Sequence, residues 1–389
     1  MKLAAVDGFF FDDVHHVLSE RAAKLAKSEI AAIEPAFARG EIDEDAAARR
    51  YLAVLAREGL LALCVPQAHG GPFPLLDLRS ICVARERLSY ESGFADTCFV
   101  LQGLGSHPIT LAGSDLARTW LPRVGRGEAI AAFAVTEPDA GSDLAAAKTT
   151  ARRDGDSWVI EGRKVFVSNA GIADFYTVLA RSGDVPGAKG LSMFLVPAST
   201  PGVRVPVRLR VMAPHPIGTI VFEKARVPAS HLLGEEGGGF ALAMANLDFF
   251  RTSVGAAACG LAERAIDESI AHTKVRIQFG KPLAEQQLVR AALAEMATDL
   301  EASRLLVHRA AAMLDRGSSR VTAAASMAKL FATEAAQRIV DRGVQLHGGL
   351  GVTEGSVVER LYREVRALRI YEGASDIQKL VIAKQLLER

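Results

Sequence analysis

The chain changes its periodicity twice, and that constrains its fold more than any single motif. From about residue 10 to 128 it is dense in Ala, Leu, Arg and Glu at helical spacing, with breaks expected at "HGGPFP" (69–74) and "GSHP" (105–108). From about 129 the pattern turns to short Val-, Ile-, Phe- and Thr-rich runs: "AIAAFAV", "AKTTARR", "SWVIEG", "RKVFVSN", "DFYTVLAR", "LSMFLVP" and "TIVFEKARVP". Turn residues such as Asp154-Gly155 punctuate these runs. After "GEEGGGF" helical spacing returns, and Val289, Leu293, Met296, Leu300, Val307 and Leu314 form a seam suited to a bundle of antiparallel neighbours. The expectation is a mainly α protein with a middle β-domain: an N-terminal helical domain (1–128), a middle β-domain (129–235) and a C-terminal helical bundle domain (236–389).

Bulk properties exclude several function classes. Against 45 Asp+Glu stand 46 Lys+Arg, a formal charge of +1, which offers no electrostatic footprint for nucleic acid or an acidic membrane. Cys64, Cys82, Cys98 and Cys259 are far apart in apolar surroundings, with no C-x-x-C pair and no histidine at ligand spacing; they read as buried thiols, and no metal site is expected. The start, "MKLAAVDGFFFDD", fits neither a secretory signal nor an Arg-rich transit peptide, and no run approaches the roughly 20 apolar residues of a membrane span. A cytoplasmic location is the expectation.

Near the C-terminus "IYEGASDIQ" places Glu372 in a turn before a new helix. Ser375 and Gln378 have capping-box spacing, and Ile377, Leu380, Val381, Leu386 and Leu387 then read as an amphipathic helix. Gly373 permits a backbone conformation closed to other residues, so Glu372 can be aimed into a cleft. The alternative is an exposed loop glutamate.

Four motifs in order give this turn a context. They are "AVTEPDAGSD" (134–143), "GRKVFVSNA" (162–170), "RIQFGKPLAEQQ" (276–287), and a stretch running from "QLHGGLGV" (345–352) through "VERLYREVR" to "IYEG". Together they resemble the acyl-CoA dehydrogenase family, and the resemblance spans nearly the whole chain. It implies an N-terminal helical domain, a central β-barrel-like domain and a C-terminal four-helix bundle. It also implies FAD as cofactor, an acyl-CoA substrate, electron-transferring flavoprotein as electron acceptor and assembly as a homotetramer.

The resemblance also assigns residues. Main chain at Val135 and Thr136 would lie at the flavin's pyrimidine edge, with Ser142 near pyrophosphate and substrate and Phe133 and Gly141 also in the cofactor set. Phe166 and Ser168 stand where the family often has tryptophan and threonine; the aromatic face survives, and Ser168 can still donate toward flavin N5. Arg276 suits the pyrophosphate, reaching it from a neighbouring subunit in the family, with Gln278, Phe279, Gln287 and Gln345 nearby. Gly348 and Gly349 permit close backbone approach, or else simply end a helix, and Gln287 could equally lie on a solvated helix face. Ser375 and Asp376 complete the cofactor set, although Ala374, Asp376 and Gly355 depart from the family pattern. Asp248 and Arg251, three apart on one helix face, turn toward the substrate, or else form a solvated pair.

Glu372 becomes the implied catalytic base, with Gly373 on the substrate side. A carboxylate in a pocket dried by flavin and acyl chain gains basicity, its pKa rising from about 4.3 toward 6 or 7. It would take the α-proton of the thioester while flavin N5 accepts the β-hydrogen as hydride, and the oxyanion would be held by the Glu372 N–H and a ribityl hydroxyl. Some members carry the base immediately before the arginine corresponding to Arg251; here that residue is Phe250. The pocket floor is expected from residues 89–108, which hold no Lys or Arg for a second carboxylate, while Phe99, Val100 and Leu101 are bulky. A short, branched or cyclic acyl group is therefore expected. The rivals are an acyl-CoA oxidase or monooxygenase on the same fold, and a non-catalytic FAD/CoA-binding or DNA-associated relative.

Overall fold

The computed structural model describes residues 7–318 and 321–388. They form two compact units, each assembled from separated stretches of chain. Unit 1 comprises residues 7–41, 78–96 and 248–388; unit 2 comprises 42–77 and 97–247.

Unit 2 holds the sheet. Its strands are β1 (Ala131–Ala134), β2 (Thr150–Asp154), β3 (Ser157–Ser168), β4 (Phe175–Arg181), β5 (Leu191–Pro197), β6 (Val203–Leu209), β7 (Ile217–Pro228) and β8 (Leu232–Leu233). They are ordered β6-β7-β3-β2-β4-β5-β8, with β1 pairing parallel to β4. β4 and β5 are buried almost end to end, which explains their unbroken apolar runs. Phe175, Leu179, Met193 and Leu195 join Val65, Ile109, Leu121 and Val124 in one core. "SWVIEG" and "RKVFVSN" prove to be one strand. The exposed edge strand β6 was not among the expected strands: Val203, Val205, Val207 and Leu209 alternate with its arginines, but Pro206 interrupts the run; its register against β7 slips between Arg204 and Val207, so the missing proline N–H falls at the irregularity.

The helices used below are α1 (Leu78–Glu91), α2 (Gly93–Leu111), α3 (Gly239–Val275), α4 (Gln287–Asp315), α5 (Thr322–His347), α6 (Val357–Leu368) and α7 (Ser375–Leu387). The break expected at "GSHP" does not occur: α2 runs straight through it. Pro108 cannot donate to the Leu104 carbonyl, but Asn246 Nδ2 does so instead at 2.8 Å. Ser106 donates to Gln102 O at 2.7 Å, and a side chain at Gly105 would strike the Ala132 backbone at 2.7 Å. That glycine serves close packing.

In unit 1, α5 packs on α4, α6 and α7. Gly255 of α3 lets that helix approach α4 and α5: a Cβ there would meet Val307 at 2.7 Å and Ala332 at 3.4 Å. Met296, Leu300 and Val307 of the expected seam are buried. Between the last two lies Arg304, also buried, paired with Glu86 at 2.7 Å and Glu263 at 2.6 Å.

The capping box expected at Ser375 is not formed. The N-cap is Ala374, Ser375 is already helical, and its hydroxyl donates to Glu334 at 2.6 Å. The apolar stripe of α7 is largely outward: Leu380, Leu386 and Leu387 are exposed, and the helix turns Ser375 and Gln378 inward.

Candidate active site

In unit 1 the turn between α6 and α7 is an elbow of two left-handed residues, Glu372 at φ 53° and Gly373 at φ 95°. A Cβ on Gly373 would come within 2.3 Å of Gln378 Nε2, so glycine is required by space as well as by backbone. Glutamate has no such freedom, and this conformation costs it about 1 kcal/mol. Three donors hold the strained turn. Arg251 Nε reaches Glu372 O at 3.3 Å, while Lys329 Nζ and Gln378 Nε2 reach Gly373 O at 2.7 and 2.9 Å.

The Glu372 side chain is half-buried, but its Oε2 is shielded from solvent and meets no hydrogen-bond donor. Burial pushes its carboxyl above the ordinary carboxylate range; Arg85, Lys329 and Arg251 pull the other way, and Asp96 adds to the rise. Of those cations, Arg85 is committed to Asp96 through two contacts at 2.9 and 2.7 Å and to Ser253 at 2.9 Å. Arg251 is buried and pairs with Asp248 at 2.5 Å, whose second oxygen accepts from Thr322 at 2.9 Å. The Asp248–Arg251 pair is therefore part of the elbow's support and not a solvated surface pair. Lys329 is fully buried, and burial lowers its pKa to about 8 against the attraction of Glu372. Phe250, next to Arg251, is fully buried and brings no second carboxylate.

Unit 2 carries the loop of the first motif. Phe133 and Thr136 are half-buried, Val135 is buried, and Gly141 and Ser142 are exposed. The Val135 carbonyl accepts from Lys164 Nζ at 3.1 Å and the Thr136 carbonyl from Val165 N at 2.9 Å, so these residues can offer a ligand their N–H groups and, at Thr136, a hydroxyl. Glu137 and Lys164 clasp the loop at 2.7 Å; Glu137 also accepts from the backbone of Thr149 and Lys148 at 2.9 and 2.7 Å. Burial alone would raise the Glu137 carboxyl, but Lys164 and these bonds outweigh it and hold it low. Both residues lie inside the quoted motifs, where the spacing gave no sign of their pairing.

Phe166 sits where the register of β3 against β7 slips, between Lys164 and Val167, at φ 52°. The irregularity turns its ring outward to 60% exposure. Ser168 is taken by His215 Nε2 at 2.7 Å, and burial lowers that imidazole's pKa to about 4, so it is neutral.

The third motif forms a two-residue hairpin, Ile277–Gln278 against Lys281–Pro282. Phe279 and Gly280 occupy its tip at φ 53° and 77°. Phenylalanine is ill suited to that backbone, and its ring is 94% exposed. Arg276, Gln278, Gln287 and Gln345 are exposed as well. Gly348 ends α5 at φ 61°, and neither it nor Gly349 has an atom within 4 Å of where a Cβ would stand. Two residues of the expected cofactor set are not presented in this way. Ser375 is buried with its hydroxyl on Glu334, which Arg369 also binds at 2.8 Å, and Asp376 faces solvent with Lys379 at 3.0 Å.

Comparison with known proteins places the chain. The acyl-CoA dehydrogenase N-terminal domain matches residues 12–128, the middle domain 132–225 and the C-terminal domain 237–387. The chain belongs to the acyl-CoA dehydrogenase family. It is 39% identical to cyclohexane-1-carbonyl-CoA dehydrogenase of Geobacter metallireducens over 96% of this chain and 97% of that protein. Among solved structures it resembles a chain from the electron transferring flavoprotein of Acidaminococcus fermentans, with a TM-score of 0.91 and 31% identity over the whole of both chains. An acyl-CoA dehydrogenase complexed with FAD from Bacillus anthracis gives a TM-score of 0.89 and 31% identity, covering 97% of this chain and 67% of that one. As an acyl-CoA dehydrogenase family member, the chain is an oxidoreductase acting on acyl-CoA, built from an N-terminal helical, a middle β and a C-terminal helical domain.

Proposed function

We propose that the protein converts a short, branched or cyclic acyl-CoA to its trans-2-enoyl-CoA, with Glu372 as the base that takes the C2 proton. The observation that carries this reading is the shielded, undonated Oε2 of Glu372 on a strained elbow. A carboxylate in that state has lost solvation that would weaken it as a base and has no donor to compete for its lone pair. The carbonyls of Glu372 and Gly373 are tied back by Arg251, Lys329 and Gln378, which fixes the turn so that the Glu372 N–H can steady the developing thioester oxyanion, as the family resemblance implies.

FAD, when bound, supplies the acceptor for the C3 hydrogen, which leaves as hydride. The residues of this chain suit that group. N–H groups at Val135 and Thr136, whose carbonyls are already engaged, fit the acceptor edge of the isoalloxazine, and the outward Phe166 ring offers it a flat wall. Ser168, its hydroxyl already bonded to the neutral His215, can reach the flavin only by sharing that bond, and Ser142 and Gly141 stand exposed for phosphate or substrate. Arg276, Gln278, Phe279, Gln287, Gln345, Gly348 and Gly349 are open to a dinucleotide, in keeping with a site completed by a neighbouring subunit of a homotetramer. Ser375 and Asp376 act at most through their backbone.

The cyclic substrate named for the Geobacter relative and the absence of Lys or Arg from residues 89–108 support a compact, uncharged acyl group. The Acidaminococcus structure supports an electron transferring flavoprotein as the acceptor that reoxidises the flavin. Anaerobic mixing of the FAD-loaded protein with acyl-CoAs of graded length and branching should bleach the yellow flavin, most strongly with cyclohexane-1-carbonyl-CoA or a short branched thioester. Bleaching by none of them contradicts the reading, and rapid peroxide formation on admitting air makes the protein an oxidase instead.

A further inference from the structure

Among the described residues, the charged groups near the elbow have partners close to them, with two exceptions. On α1 and α2, Arg85 is matched by Asp96 at 2.7 Å. On α3, Arg251 is matched by Asp248 at 2.5 Å. Glu334 of α5 is matched by Arg369, at 2.8 Å, in the stretch leading to the elbow. Lys379 of α7 is matched by Asp376 at 3.0 Å, and Tyr371 is held neutral because burial raises its pKa against the pull of Arg85. What remains is the Lys329 ammonium, fully buried, and the Glu372 carboxyl.

Burying an ammonium whose bonded partner is a neutral carbonyl is costly unless an opposite charge compensates it. Among the described residues Lys329 forms no ion pair; its Nζ stands on Gly373 O at 2.7 Å, one residue past Glu372. Gln378 donates to the same oxygen at 2.9 Å, so a hydrogen bond alone does not call for a charge there. A charge is called for by Glu372, whose own burial disfavours ionisation and whose Oε2 has no donor.

We propose that Lys329 is the positioning residue of the elbow: its ammonium fixes Gly373 by the carbonyl and serves as the unmatched counter-charge that keeps the Glu372 carboxylate ionised. This rests on the reading of Glu372 as the base. When Glu372 takes the C2 proton, the C–H bond breaks and an O–H bond forms on the carboxylate; the C–H electron pair stays with the substrate and shifts onto the thioester oxygen as the enolate, with no change of oxidation state, so Lys329 stays in place and keeps its proton throughout. The ammonium thus favours the ionised form of the resting base without competing for its lone pair, which a direct ion pair would do.

The test isolates the proton step. Phenylacetyl-CoA and acetyl-CoA carry C2 protons but no hydrogen that could leave from a third carbon. Exchange of those protons for deuterium, followed by NMR in heavy water on the FAD-loaded protein, therefore reports the base alone. The unmodified protein should catalyse exchange with an acid limb set by Glu372, and Glu372→Gln should abolish it. Lys329→Met should move that limb upward by about one pH unit or more, lowering exchange on the limb at least about tenfold, with FAD content retained. Lys329→Gln, which keeps an amide donor for Gly373 O, should shift the limb equally and serves if the methionine variant does not fold. Lys329→Arg should restore it. Gln378→Leu, which removes the neutral donor to the same oxygen, should lower the plateau without moving the limb. An unmoved limb in Lys329→Met or Lys329→Gln overturns the role of Lys329 while leaving Glu372 as the base. Exchange that survives Glu372→Gln, or that never exceeds the uncatalysed rate, overturns the base and this proposal with it.

Discussion

A glutamate at φ 53° with a shielded, undonated carboxylate oxygen is unfavourable twice over, once in its backbone and once in its charge. The sign of the second term is testable. Burial raises the Glu372 pKa in the folded state, so its contribution to stability is full below the unfolded carboxylate pKa and is lost as pH rises through the folded value. Glu372→Gln, which cannot ionise, should therefore melt higher than the unmodified protein at pH 8, and the gap should close toward pH 4. A higher melting temperature for the unmodified protein at pH 8 contradicts the raised pKa. The same sign gives the activity its acid limb, since turnover needs the ionised form. Gly373→Ala meets both the left-handed φ and the 2.3 Å clash with Gln378; it should cost about 1–3 kcal/mol in denaturant unfolding and displace the glutamate. The turn at Glu372 and Gly373 was legible in the sequence, because glycine after a carboxylate before a helix has a local meaning, but on that stretch alone an exposed loop glutamate stayed open and it was the family resemblance that singled Glu372 out. Lys329 was not: a lysine among alanines on a helix reads as a solvated face, and its neighbour on the elbow is 44 residues away.

At the scale of elements, local signals failed where a distant side chain replaced a lost backbone partner. Gly105 to Pro108 carry every mark of a helix end, yet α2 continues because Asn246, 142 residues after Leu104, supplies the donor that Pro108 lacks. Asn246→Leu leaves that carbonyl unpaired in a buried setting and should cost about 1–3 kcal/mol in denaturant unfolding, whereas a neutral result would show that the helix tolerates the orphan. The same logic applies to α4, where Arg304 interrupts an apolar seam without breaking it because Glu86 and Glu263 meet it. In the sheet, periodicity located the strands with long apolar runs and passed over β6, where Val203, Val205, Val207 and Leu209 alternate but Pro206 at the centre speaks against a strand. The exposed position of Phe166 depends on the register slip in β3, which a search for strict alternation cannot find. Lys164→Met should strand the Glu137 carboxylate under the motif loop. A loss of about 3–5 kcal/mol in unfolding and weaker retention of FAD are expected, and full retention with unchanged stability would mean the clasp does not hold the loop.

Considered as a whole molecule, a chain of nearly balanced charge leaves several large apolar side chains uncovered in unit 1: Val275, Ile277, Phe279, Leu288, Leu350 and Val352. The ends of α3 and α5, from which four of them extend, are brought together by His272 stacked on His347 at 4.3 Å. Outward Leu380 and Leu387 of α7 add to the uncovered surface. Self-association would cover such groups, and sedimentation should report an assembly larger than one chain that Leu288→Asp weakens; a monomer at micromolar concentration contradicts it. No helix among the described residues is long and apolar enough to cross a membrane. The order of domains was legible because composition shifts on the scale of a hundred residues, whereas the regrouping of that order into two compact units depends on contacts that no window of sequence contains. Anaerobic rapid mixing of a bleaching acyl-CoA with the FAD-loaded protein and with its Glu372→Gln variant decides whether Glu372 is the base. Flavin reduction slowed by about 10²–10⁴-fold in the variant, with FAD still bound, is the expected result; reduction at an equal rate would contradict Glu372 as the base.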